Sequence, residues 1–234
     1  MFSEISGIKS LRIFFSYSID DKKIVGMLKE YLEFMGFEIF LAHEDLEPCV
    51  EWQEEIMKNL NRCDIFISLL TESFKKSDWT DQEIGLAIAA DKFIIPLQVD
   101  FPPYGFIGKI QGLKVDTYYL RNENGKAVRD HLKDIATIIF QTIRTKSKFK
   151  DDMKDFVIYK FINSGSFNEA NARAKLFEEF SNFTSEQVTQ MFNATKDNNQ
   201  IHNANTAKRV LRKFFEIHKE NIKDEEYKDI MNFL

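Results

Sequence analysis

Cysteine is nearly absent from this chain, with Cys49 and Cys63 the only two and no CxxC spacing. A disulfide framework is therefore excluded, and both are expected as free thiols in a reducing compartment. Basic excess is missing too. The formal net charge is −5, so nothing attracts nucleic acid in a general way. No apolar run approaches the roughly 18–20 residues of a membrane span. The opening MFSEISGIKS lacks the basic stretch and apolar core of a signal peptide, and the expected location is the cytoplasm. No GxGxxG follows the first strand and no GxxxxGK[ST] occurs, which leaves a Rossmann dinucleotide site and a P-loop unsupported. No HExxH or paired Cys/His spacing points to zinc, so no metal and no bound cofactor are expected. The four histidines are scattered, and His131 and His218 read as structural or solvent-facing.

What is present suits a globular protein. The 234 residues are 44% hydrophobic and 29% charged, and the 23 phenylalanines read as core and interface packing. Short apolar runs alternate with helical patterns over the first 145 residues. Strands are predicted at 11–17 (LRIFFSY), 37–42 (FEIFLA), 64–70 (DIFISLL), 93–99 (FIIPLQV) and 115–120 (VDTYYL). Pro96 is unwelcome inside a central strand and predicts an edge position or a bulge. Asp20 is the expected cap of a helix running to Met35, with Ile24, Met27, Leu28, Tyr31, Leu32 and Met35 at helical spacing and Gly36 as its left-handed stop. Further helices are predicted at 50–60, over most of 71–92 with Ser77 or Asp78 as a cap, and at 127–145. Strands alternating with helices imply a parallel sheet covered on both faces, with ligands gathering outside the carboxyl ends of the strands.

Around 145–154 the chain becomes highly charged, and the domain boundary is placed there: 1–147 for the α/β domain and 148–234 for an all-α domain. Helices are predicted at 151–163, 168–180, 185–196, 205–221 and 224–233, with Thr184 and Gln187 as a capping box. Phe156, Phe161, Phe167, Leu176, Phe177, Phe180, Val188, Phe192, Val210, Leu211, Phe214 and Phe215 have the spacing of a small bundle. The basic run Lys208, Arg209, Arg212 and Lys213 reads as a solvated face. Nothing in this segment looks catalytic, and a sensing, oligomerisation or partner-docking module is expected.

Several short elements share an order and spacing. Phe15-Ser16-Tyr17-Ser18 ends the first strand and is followed by Asp20 and a helix. Gly36-Phe37-Glu38-Ile39-Phe40 leads to His43-Glu44-Asp45-Leu46-Glu47-Pro48, and Trp52 opens the helix behind that loop. Cys63 to Thr71 forms the third strand, and Ser77-Asp78-Trp79-Thr80-Asp81-Gln82-Glu83 contains a WxxxE element. Over residues 9–145 the chain resembles the TIR (Toll/interleukin-1 receptor/resistance) family, in particular its bacterial antiphage-defence, NAD+-cleaving type. The resemblance implies a flavodoxin-like five-stranded parallel sheet. In enzymatic members it implies cleavage of NAD+ at the nicotinamide–ribose bond, with the WxxxE glutamate, here Glu83, as the catalytic residue. NAD+ is then a substrate and not a cofactor, and the product is ADP-ribose or a cyclic ADP-ribose-type signal. Contacts to substrate are expected from Phe15, Ser16, Tyr17, Ser18, His43, Trp52 and Trp79. A loop of Asp45, Leu46, Glu47 and Pro48 is expected to govern homo-oligomeric assembly, and the helical domain to meet a defence partner or phage trigger. The other course open to such a domain is a non-catalytic TIR–TIR adaptor.

The residues make the chemistry plausible on their own terms. Trp79 and Glu83 lie four apart and share a helix face. Breaking the nicotinamide–ribose bond develops oxocarbenium character on the sugar, as in glycoside hydrolysis, and a carboxylate stabilises that charge. Nicotinamide leaves as a neutral group, so one carboxylate suffices. Each residue also has a plainer role open to it: Glu83 as a solvated helix carboxylate, Trp79 and Tyr17 as packing residues, Ser16 and Ser18 as strand ends, His43 as an idle loop residue. Many animal TIR enzymes carry a cation after the tyrosine, where this chain has Ser18. Lys22 and Lys23 are the nearest basic residues, and backbone donors at the helix start can substitute. Replacing Leu46 with aspartate is expected to weaken self-association and to lower turnover in proportion, checked by sedimentation beside nicotinamide release. Unchanged association with lost turnover contradicts this.

Overall fold

The structure is a computed structural model, and it describes residues 8–42, 52–120 and 125–234. Five parallel strands, β1 (Arg12–Ser16), β2 (Glu38–Leu41), β3 (Ile65–Leu70), β4 (Phe93–Gln98) and β5 (Leu113–Lys114), lie in the order β2-β1-β3-β4-β5. This is the flavodoxin-like order. Between them run α1 (Lys22–Met35), α2 (Trp52–Arg62), α3 (Glu72–Lys75), α4 (Thr80–Ala89), α5 (Thr117–Leu120) and α6 (Gly125–Arg144).

The two faces of the sheet follow from strand alternation. On one face Phe14, Phe66 and Ile94 stand in register across β1, β3 and β4, with Phe14 stacked on Phe66 at 5.6 Å between ring centroids. Ile56 and Leu60 of α2 and Ile84 and Ala87 of α4 close over them. The alternate residues Ile13, Phe15, Ile65 and Ile67 are buried on the opposite face. The buried stripes of α1 (Val25, Leu28, Leu32, Met35) and α6 (Val128, Leu132, Ile135, Ile139, Ile143) pair with each other, and Phe37 meets Phe140 edge-on at 6.2 Å.

Three local expectations change. The 3-10 turn Ile19–Asp21 precedes α1, so Asp21 and not Asp20 occupies its cap position; Asp21 instead accepts a 2.6 Å hydrogen bond from Thr71 Oγ1. The fifth strand lies earlier than predicted. Asp116 Oδ1 accepts from the Tyr118 N–H (2.9 Å), which starts a turn of helix where a strand was expected, and Tyr119 stacks on His131 at 4.9 Å. The long helix over 71–92 is two: Thr71 caps α3 through the Phe74 N–H (3.1 Å), and α4 begins again after Trp79. Gly36 ends α1 at φ 112°, the left-handed stop that was expected. Pro96 sits inside β4, but β5 reaches only Leu97 and Gln98, so one side of the strand carries no paired neighbour at the proline.

The described residues divide into two compact units, 10–149 and a second of 8–9 with 150–234. In the second, α7 (Ser147–Ile162), α8 (Phe167–Phe177), α9 (Ser185–Asp197), α10 (Asn199–His202), α11 (Asn205–Ile217) and α12 (Asp224–Phe233) form a helical region. Thr184 and Gln187 make the reciprocal capping box of α9. Phe177 is the hub of the core, stacked on Phe161 at 5.5 Å and edge-on to Phe214 at 5.2 Å. Phe167, expected in that core, is the first residue of α8 after the Ser166 cap and is exposed.

Phe66 is fully buried between the sheet and its helices. Phe66→Ala is expected to lower unfolding free energy by about 3–5 kcal/mol. Phe167→Ala, at an exposed site, should stay within about 0.5 kcal/mol. Urea unfolding with equal slopes checks both.

Candidate functional site

The site begins with a change of side-chain size along the sheet. The row Phe40, Phe14, Phe66, Ile94 is bulky; two residues toward the carboxyl edge, on the same face, come Ser16, Ser68 and Pro96 in register. The step from large to small leaves room for a side chain from above. Glu83, in the first turn of α4, fills it. Ser16 Oγ donates a 2.5 Å hydrogen bond to Glu83 Oε2. Both groups are buried, Glu83 with 4% of its surface exposed. A solvated helix carboxylate, the plainer role open to it from sequence, is not what the fold builds.

Burial pushes the Glu83 carboxyl up to about 7, opposed by the hydrogen bond from Ser16. Among the described residues no charged neighbour contributes to that shift. A carboxyl in this state changes charge near neutrality, which is what an acid–base or charge-stabilising group requires.

Several contacts fix where α4 starts. Thr80 Oγ1 donates to the Phe74 carbonyl (2.8 Å), locking the first turn of α4 to α3. The Tyr104 hydroxyl donates to Asp81 Oδ1 (2.5 Å), which ties α4 to the loop after β4. Burial first, and then Asp81, raises the Tyr104 hydroxyl above its ordinary range, so it remains a donor. The Glu83 N–H bonds to the Trp79 carbonyl (2.9 Å), so Trp79 and Glu83 are one turn apart, with Trp79 half-buried at the cap position. Asp21, beside Thr71, is raised by burial, partly offset by the Thr71 hydrogen bond and reinforced by Asp20 and Asp100.

The other sequence-predicted residues divide. Ser16 ends β1 and turns its hydroxyl to Glu83, with Trp79 at the head of the same helix. Phe15 is fully buried and, by alternation, points to the opposite face of the sheet from Ser16; Tyr17 is fully buried just beyond the strand. Strand alternation thus turns the Phe15 ring away from Glu83's side of the sheet. Ser18 is buried at the start of the 3-10 turn, its side chain making no cap bond, while Lys22 and Lys23 stand exposed at the head of α1. Trp52 opens α2, its side chain outside the described set. His43, Asp45, Leu46, Glu47 and Pro48 lie outside the described residues. The thiol of Cys63 is buried and pushed up to about 11 by burial, a packing residue donating to the Leu60 carbonyl.

Sequence reading missed Ser68, Thr80, Asp81 and Tyr104. Ser68 is fully buried in register with Ser16, and its hydroxyl has no hydrogen-bond partner among the described residues. An unpaired buried hydroxyl costs about 1–3 kcal/mol. Only the serine two places after Phe66 in a buried strand could have signalled it. A separate opening of about 460 Å³ lies beyond β4 and β5, lined by Gln98, Pro102, Pro103, Ile110, Gly112 and Lys114; none of the predicted site residues faces it. Among the described residues no cluster of His, Cys, Asp and Glu is arranged to hold a metal, and no helix is long and apolar enough to cross a membrane.

The raised Glu83 group carries a sign for stability. The folded chain binds a proton between pH 4.5 and about 7 that the unfolded chain has released. Stability from this group is therefore fully present below pH 4.5 and falls as pH rises through that window. Glu83→Gln removes the titration. Its unfolding free energy relative to wild type is expected to rise from pH 4.5 to 7 and then level off, by on the order of 3 kcal/mol. A difference independent of pH contradicts the burial of a titrating carboxyl, and thermal unfolding at several pH values decides.

A TIR domain family model matches residues 13–133. Similar solved structures include the TIR domain of the Toll-related receptor TRR-2 from Hydra magnipapillata. It is 20% identical, with 57% of this chain and 98% of that one covered at a TM-score of 0.43. The CMP N-glycosidase BcmB of Clostridium botulinum is 24% identical over 44% and 84% of the two chains, with a TM-score of 0.33. The TIR domains of the activated Roq1 resistosome directly recognising the pathogen effector XopQ are 18% identical over 63% and 98%, at 0.38. These likenesses are too partial to bear on activity. No curated protein matches the chain. The family match spans more than half of the residues and coincides with the sheet, the WxxxE helix and the Ser16–Glu83 contact: the chain belongs to the TIR domain family.

Proposed function

We propose that this chain cleaves NAD+ at the nicotinamide–ribose bond, with Glu83 as the catalytic carboxylate. The observation that supports it is a single one. Glu83 of the WxxxE element is a buried carboxyl at the carboxyl edge of the sheet, bonded to Ser16 and ionising near pH 7.

The chemistry balances with one carboxylate. The bond between ribose C1′ and the nicotinamide nitrogen breaks, and its electron pair goes to the departing neutral nicotinamide. The ribose ring takes on positive charge. An ionised Glu83 beside the sugar stabilises that charge, and in a site poor in water the attraction is stronger than in solution. Water adding to C1′ gives ADP-ribose and a proton; an internal nucleophile of the same molecule gives a cyclic product. NAD+ is consumed as a substrate, and no cofactor is required. Trp79, one turn from Glu83, is the aromatic candidate for lining the ribose side of the site.

Family membership and the loop sequence His43 to Pro48 favour activity that depends on self-assembly, with the helical unit as the sensing, partner-docking or oligomerisation part. A role in bacterial antiphage immunity, in the cytoplasm, is the setting this implies.

Incubation of the full chain with NAD+, with products separated by chromatography and mass, tests the assignment. Nicotinamide should appear in equal amount to ADP-ribose or its cyclic isomer, and Glu83→Gln should cut kcat by about 100-fold or more. Because the ionised form acts, kcat/KM should climb with pH and reach a plateau above about 7. A folded Glu83→Gln variant with unchanged turnover removes the catalytic assignment. A wild-type chain silent at high protein concentration and under crowding leaves a TIR–TIR adaptor.

A further inference from the structure

Glu83 reaches β1 from a helix that links β3 to β4, and β3 adjoins both β1 and β4 in the sheet. The β3 residue in register with Ser16 is Ser68. Register partners in parallel strands carry their side chains on one face, and strand spacing puts the two serines about 5 Å apart. Ser68 is fully buried and its hydroxyl has no hydrogen-bond partner among the described residues.

Its surroundings narrow what that hydroxyl can meet. Along β3 its same-face neighbours are Phe66 and Leu70, and across to β4 its partner is Pro96, none with a polar side chain. Toward β1 stands Ser16, and next to Ser16 stands Glu83. An ionised carboxylate accepts several hydrogen bonds, and Ser16 supplies one. A serine hydroxyl rotates freely to find an acceptor.

We propose that Ser68 is a positioning residue for Glu83: its hydroxyl donates to the carboxylate once Glu83 is ionised, so that Ser16 and Ser68 together hold it in place toward the ribose. This rests on Glu83 being the catalytic carboxylate. Ser68 touches no reacting atom; it acts through Glu83 by favouring the ionised form and one orientation of it.

Among the described residues few other groups compete for that influence. β1 from Ile13 onward, β3 and the Gly105–Ile107 turn present no titratable side chain to α4. On α2, Glu55 is bonded to Lys58 and Asn59, and Glu54 and Arg62 are the remaining charges. On α3 stand Glu72 and Lys75, and on α4 Asp81 is taken by Tyr104. None of these contributes to the Glu83 shift.

The test reads the titration of Glu83 directly, without relying on turnover. NMR of the full chain with 13C-labelled glutamate, its signal assigned by loss in Glu83→Gln, gives the midpoint in wild type, Ser68→Ala and Ser68→Cys. Ser68→Ala should raise the midpoint by about one pH unit, the effect of one hydrogen bond to an ionised acceptor. Ser68→Cys keeps the side-chain shape with a weaker donor and should raise it less, and it carries the comparison if the alanine variant does not fold. The acid limb of kcat/KM for NAD+ cleavage should move by the same amounts. An unmoved midpoint in the folded Ser68 variants overturns the proposal. A moved midpoint in a chain that releases no nicotinamide upholds the pairing of Ser68 with Glu83 and overturns the NAD+ reading instead.

Discussion

A carboxyl group buried under a helix, with one serine hydroxyl bonded to it, is the constraint around which this α/β unit is arranged. Desolvation disfavours its charge, and the Ser16 hydrogen bond offsets only part of that. The group can sit there because the sheet changes from phenylalanine to serine and proline within two residues, opening space where the bulky row stops. It stays there because α4 is fixed at its start, through Thr80 to Phe74 and through Asp81 to Tyr104. Without those ties the helix could shift by part of a turn and carry the carboxyl out to water, where its titration would return to that of an ordinary glutamate.

Such a site costs stability, and the apolar rows beneath it carry the load. Phe14, Phe40, Phe66 and Ile94 pack against α2 and α4 on one face, while α1 and α6 close the other. A domain whose net stability is only several kcal/mol tolerates one raised carboxyl and one buried hydroxyl because the packed row beside them is apolar. Local violations of good packing concentrate where chemistry is done. Ser16, Ser68 and Glu83 are all buried there, with Ser16 bonded to Glu83.

Much of this architecture was readable from periodicity, and the misreadings have physical causes. Four strands and the stop at Gly36 followed from β-branched and aromatic runs and from a glycine where a left-handed residue was needed. VDTYYL has strand composition, yet Asp116 captures the backbone N–H two residues on and begins a helical turn. Asp20 was the expected cap; an intervening 3-10 turn moves the helix start so that Asp21 takes the cap position. Phe15 and Tyr17 stand in the motif beside Ser16, but strand alternation sends Phe15 to the other face.

The sequence by itself determined the alternation of strands and helices, the WxxxE spacing and the helical second unit, because these depend on periodicity and motif spacing along one stretch of chain; the strand order and the candidacy of Glu83 came from the resemblance that the spacing supports. Tertiary structure decided that Glu83 is buried, that Ser16 is its partner from 67 positions away, and that Ser68 lies alongside Ser16. Register and burial arise only when separate strands pair and a helix is laid across them. An environment that sets a group's charge is a property of everything that excludes water from it, and no local run of residues contains that information.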